Sequence, residues 1–136
     1  MRHLIVLTSL LLCLLWSAVA QSRSVKDGVY SKAQAGRGQA LYKENCFVCH
    51  GETATGGDSG PALSGEGFMD NWKGQTLGDL FDKVSQTMPA SAPGSLKPPE
   101  YVELIAFLLG ENGFPAGQKD LEREPAALKQ IRIVPK

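Results

Sequence analysis

Cys46-Phe47-Val48-Cys49-His50 is the stretch from which the rest of the chain is read. It has the form C-x-x-C-H, the attachment signature of a c-type haem. Two thiols one turn apart match the two vinyl groups of a haem, across which they add to form thioethers. The histidine follows directly, so its imidazole comes up beneath the ring and within reach of the iron. Two other readings compete for the same residues. A redox CxxC dithiol usually accompanies a βαβ pattern, and no strand-rich pattern is present. A structural zinc site wants four Cys or His ligands.

The chain has 136 residues, the size of one domain. Its formal net charge of zero gives no reason to expect nucleic acid or an anionic membrane as partner. Arg2 and His3 open the chain, Leu4 to Trp16 is apolar, and Ser17-Ala18-Val19-Ala20 supplies small residues at a cleavage site. Residues 1–20 therefore read as a secretory signal peptide, with an apolar run short for a membrane span. Cleavage before Gln21 removes His3 and Cys13, leaving Cys46, Cys49 and His50 as the remaining Cys and His residues. Three ligands are too few for a structural zinc site. Export agrees with the motif, because bacterial c-type haem is attached outside the cytoplasm, and the expected location is the periplasm. A domain of this size has a thin core, which an apolar disc bonded to the chain would fill.

Residues 21–30 are polar and mixed, and read as a loosely held arm. Ser31-Lys32-Ala33-Gln34 has the form of a capping box, with a helix expected to about Asn45. Gly38 lies one turn before Tyr42, where close approach of another helix is a reason to accept the cost of a glycine. Residues 51–75, rich in Gly, Ser and Thr, read as a long loop wrapping something. Within it Phe68, Met69 and Trp72 form an apolar cluster. Thr76 and Asp79 start the next helix, where Leu77, Leu80, Phe81 and Val84 follow helical spacing. Proline at 89 ends that helix and puts Met88 in an extended conformation. Pro98 and Pro99 suit the first turn of a helix that is nearly all apolar through Leu109, and so covered on more than one side. The tail, 116–136, alternates charge with isolated apolar residues, and Pro125 to Gln130 suggests a short helix.

A haem iron bound by His50 has a sixth position to fill. A thioether is a soft, neutral ligand that favours ferrous iron. Met88 is the better of the two candidate methionines. It follows His50 by 38 residues and is fixed between a helix and a proline. Met69 is read as lying in a loop.

In this order and spacing the chain resembles the class I, mono-haem cytochrome c family. The matching pieces are Gly38-Gln-Ala-Leu-Tyr42, Cys46-x-x-Cys49-His50-Gly51, Gly60-Pro61-Ala62-Leu63, Thr87-Met88-Pro89 and Leu104-Ile-Ala-Phe107-Leu108. The resemblance implies an all-α fold, with three to five helices and long Gly/Pro-rich loops around one covalent haem c. It implies thioether attachment at Cys46 and Cys49, and His50 and Met88 as axial ligands. It also implies a Pro61 carbonyl that orients His50, a propionate contact from Trp72, and packing of Gly38 and Tyr42 against Leu104 and Phe107. The cytochrome c domain would span 31–115, with 116–136 as a C-terminal extension. The expected function is electron transfer rather than catalysis. The chain would accept electrons from a periplasmic dehydrogenase, such as a quinoprotein, and pass them towards an oxidase. Docking would be weak and transient, as a monomer, with no stable membrane insertion. The alternatives are an open-site haem protein acting as peroxidase or sensor, and a haem-free dithiol or metal-binding module. The absence of a second histidine counts against the peroxidase.

Overall fold

Ser31 starts the first long helix: its hydroxyl accepts the Gln34 amide N–H at 3.0 Å, and α1 runs Lys32–Asn45. The computed structural model describes residues 23–136, so the expected signal peptide, with Cys13, lies outside the described residues. In order the elements are β1 (Arg23–Ser24), α1, α2 (Phe47–His50), α3 (Gly65–Trp72), α4 (Leu77–Thr87), α5 (Pro98–Glu111), α6 (Pro125–Leu128) and β2 (Ile131–Arg132). The fold is mostly helical, as expected. Six helical segments stand among the described residues where three to five were expected. The one-turn segments α2 and α6 account for the excess.

Two helical readings need correction. Residues 51–75 are not loop throughout, because α3 lies within them. Its signal is weak: eight residues, glycines at 65 and 67, and a Ser64 hydroxyl that makes no capping bond. Gln34, in turn, does not complete a capping box. Its side chain is buried and turned to the tail, where its amide group donates to the Leu121 carbonyl at 3.2 Å and accepts the Leu121 N–H at 2.6 Å. A glutamine thus pairs with a peptide unit much as a neighbouring strand would. The neighbouring Ser31 hydroxyl also donates to Asp120.

The core forms where α1 crosses α5. A Cβ on Gly38 would stand 1.9 Å from the Glu103 carbonyl oxygen and 3.0 Å from Phe107 Cβ. The helices meet backbone to backbone only because position 38 has no side chain. One turn on, the Tyr42 and Phe107 rings lie 4.9 Å apart at 44°. α4 packs beside α5, with Phe81 edge-on to Tyr101. It starts with a reciprocal capping box in which the Asp79 N–H donates to Thr76 Oγ1 at 3.1 Å and the Thr76 N–H to the Asp79 carboxylate at 2.9 Å.

Arm and tail are joined. β1 pairs in parallel with β2, Arg23 opposite Ile131, and Val25, Val29 and Tyr30 are buried. The described part of the arm, from Arg23, is therefore packed, not loose. In the tail Leu121, Leu128, Ile131 and Ile133 are buried. Its backbone also exchanges bonds with the α3–α4 connection, from Gly74 N–H to the Ile133 carbonyl and from Ile133 N–H to the Gln75 carbonyl, each 2.8 Å.

Gly38→Ala should lower thermal stability, by about 2–3 kcal/mol, because the new methyl group collides with backbone at the crossing. Gly36→Ala, where nothing lies within 4 Å of the added carbon, should raise it by about 1 kcal/mol. Thermal unfolding followed by circular dichroism checks both; equal effects would refute the crossing argument.

Candidate functional site

The C-x-x-C-H residues sit where α1 gives way to a single turn. The Cys46 N–H closes α1 on the Tyr42 carbonyl at 2.9 Å, and the Cys46 carbonyl accepts from Cys49 and His50 at 3.2 and 3.0 Å. Cys46 is half-buried, Cys49 exposed and His50 buried. The Tyr42 hydroxyl donates to the Gly51 carbonyl at 2.7 Å and ties the turn to α1. Burial pushes this phenol up to about 12, so it stays a donor through the neutral range.

The chain then folds back on the turn. The Gly56 N–H donates to the His50 carbonyl at 2.9 Å. The Pro61 carbonyl oxygen lies 2.8 Å from His50 Nδ1. Gly60 passes so close that a Cβ there would stand 2.9 Å from both the Cys49 carbonyl oxygen and His50 Nδ1.

Met88 ends α4 in an extended conformation, φ −126° and ψ 153°, as expected from the proline after it. Its N–H donates to the Val84 carbonyl at 2.9 Å. Its carbonyl accepts the Tyr101 hydroxyl at 2.8 Å and the Gly94 N–H at 3.3 Å. Asn112 performs a similar service at the end of α5. Its side-chain amide donates to the Leu63 and Leu108 carbonyls at 3.0 and 2.8 Å, and its carbonyl accepts the Gly65 N–H at 3.0 Å.

One cavity of about 680 Å³ gathers Cys46, Cys49, His50, Pro61, Trp72 and Met88 in its lining. Its walls include Leu63, Phe68, Leu80, Val84, Leu104 and Leu108, and polar groups enter from Asn71, Gln75, Asp79 and Lys83. Met69, on α3, does not line it. An apolar chamber that presents two thiols, an imidazole and a thioether fits a haem bonded to the chain. The dithiol alternative wants a setting that favours thiolate. Burial, with Cys49 second, instead pushes the Cys46 thiol up to about 11. Among the described residues no three His, Cys, Asp or Glu side chains form a metal-ion site.

The model of the family described as cytochrome c oxidase, cbb3-type, subunit III, matches residues 33–108. The chain belongs to this family of c-type cytochromes. It is a class I mono-haem cytochrome c whose cofactor is covalently bound haem c, and an electron-transfer protein rather than an enzyme by itself. Among solved structures it is similar to a chain of the sulfane dehydrogenase SoxCD from Paracoccus pantotrophus, with 26% identity and a TM-score of 0.54. That match covers 82% of the cytochrome and 60% of the SoxCD chain. No curated protein matches. No helix among the described residues is long and apolar enough to cross a membrane.

Sequence reasoning missed Tyr101 and Asn112 as supports of the cytochrome's cavity. Tyr101 carried a signal, as a polar-tipped residue at the start of an otherwise apolar helix: a buried phenol needs a partner. Tyr101→Phe should keep the ring against Phe81 while removing one of the two donors to the Met88 carbonyl. We expect a loss of about 1 kcal/mol in urea unfolding and faster amide exchange at Gly94, with Asn112 unchanged. Unaltered exchange at Gly94 would mean that the bond does not hold this loop.

Proposed function

We propose that the cytochrome is a periplasmic electron carrier with His50 and Met88 as its axial ligands. Their common placement in one cavity, with Met69 outside it, carries this reading. The haem, when bound, supplies a one-electron couple between ferrous and ferric iron. Cys46 and Cys49 hold it by thioether bonds. His50 binds through Nε2 while its Nδ1–H donates to the Pro61 carbonyl, which fixes tautomer and ring orientation and raises ligand basicity. The Met88 thioether favours the ferrous state. Its backbone bonds to Val84, Tyr101 and Gly94 hold it through both oxidation states, which keeps reorganisation small. Trp72, in the same lining, would donate its indole N–H to a haem propionate. Leu80, Val84, Leu104 and Leu108 exclude water.

The donor in this reading is a periplasmic dehydrogenase and the acceptor an oxidase or a second cytochrome. The similarity to a chain of a sulfane dehydrogenase structure supports a dehydrogenase on the donor side. Docking is transient and small in area. The signal-peptide pattern of residues 1–20 supports export.

Visible spectra of protein matured in a haem-attaching host test the ligands. The oxidised protein should show the weak far-red sulfur-to-iron band. Met88→Ala should abolish the band and lower the reduction potential by on the order of 0.1 V, whereas Met69→Ala should leave both unchanged. A native spectrum already identical to that of Met88→Ala would overturn the assignment and favour an open-site haem protein.

A further inference from the structure

Phe47 and Val48, the two spacer residues between the cysteines, are the exposed large hydrophobic residues among those described, 43% and 83% exposed. They directly precede Cys49, itself exposed and part of the cavity lining. An apolar pair at the outer edge of a redox cavity has no folding reason to face water.

The charge around it is segregated. From Glu44 to Trp72 the chain carries five carboxylates, Glu44, Glu52, Asp58, Glu66 and Asp70, and no lysine or arginine. The rest of residues 23–136 carries thirteen basic and nine acidic side chains. Elsewhere seven of the nine acids are used. Asp82, Glu103, Asp120 and Glu122 form ion pairs, and Asp27, Asp79 and Glu100 accept backbone N–H groups. The five in the 44–72 stretch are all exposed and take part in none of the ion pairs or side-chain hydrogen bonds among the described residues. Three of them lie close to the apolar pair. Glu44 precedes Phe47 by three residues and Glu52 follows Cys49 by three. Asp58 belongs to the tight 57–60 turn, which presses on the Cys49 carbonyl: a Cβ on Gly57 would stand 2.8 Å from it.

We propose that Val48 and Phe47, rimmed by Glu44, Glu52 and Asp58, form the docking surface for a redox protein whose own contact face is basic. The apolar centre supplies the close contact, and the free carboxylates steer the partner and set its orientation. The proposal rests on the electron-carrier reading, though not on Met88 as ligand.

The test uses reduced holoprotein, which passes one electron to a cationic oxidant, tris(phenanthroline)cobalt(III), or to an anionic one, hexacyanoferrate(III). Rates are measured against ionic strength. The cobalt reaction should slow with added salt. Glu52→Gln with Asp58→Asn should slow it about threefold or more at low salt. The control pair Glu122→Gln with Glu124→Gln should not. With a purified cytochrome rich in surface lysines as acceptor, Val48→Ser should slow electron exchange yet leave the cobalt rate unchanged. Amide resonances of residues 44–58 should shift when that protein is added in one fixed oxidation state. Equal effects of the two double variants, or resonance shifts confined to other residues, would overturn the proposal. Loss of the sulfur-to-iron reading in the earlier spectra would leave this test intact, because it needs only a haem that exchanges electrons.

Discussion

The whole arrangement depends on how closely α1 and α5 approach at Gly38. Side chains of ordinary size would hold the helices apart, and the Glu103 carbonyl already fills the space a Cβ would take. One turn on from this contact Tyr42 meets Phe107. Tyr42 and Cys46 come off α1, and Leu104 and Leu108 off α5, and all four reach the cavity. Widening the crossing would move the cysteine turn relative to the opposing leucines, so a packing contact sets the dimensions of the redox chamber.

The tail answers a second problem, the thin core of a small domain. Burying an aliphatic side chain contributes about 1.5–3 kcal/mol over leaving it exposed, and the tail buries Leu121, Leu128, Ile131 and Ile133. These groups are not close in sequence to what they stabilise. They cover the arm and the connection that carries Trp72 and Gln75 into α4, so the lining of the cavity is braced from behind.

What the sequence disclosed was local. The C-x-x-C-H turn, the Thr76–Asp79 capping box, the extended Met88 and the proline-led apolar helix each depend on residues within a few positions of one another. What it hid was of two kinds. Segment α3 sets Phe68, Met69 and Trp72 at helical spacing, but it is only eight residues long, has glycines at 65 and 67 and lacks a side-chain cap. The other omissions are long-range: Gln34 meets Leu121 across 87 residues, Tyr101 meets Met88 across 13, and β1 meets β2 across almost the entire described chain. The Ser31 and Gln34 pair shows the limit clearly. Its spacing satisfies the capping pattern, but a buried amide can satisfy either its own helix or a distant peptide group, and only the distant group removes all of its polar atoms from the cost of burial.

The parallel pairing of Arg23 with Ile131 sets the start of the described chain beside a strand that runs on in the same direction, and the chain ends with the Lys136 ammonium beside Gly113, just past α5. A group attached ahead of Arg23 and one attached after Lys136 therefore depart from the strand pair in opposite directions. A linker to an electrode surface would hold the domain in a different orientation at each end, and the two tethered films would give different current responses.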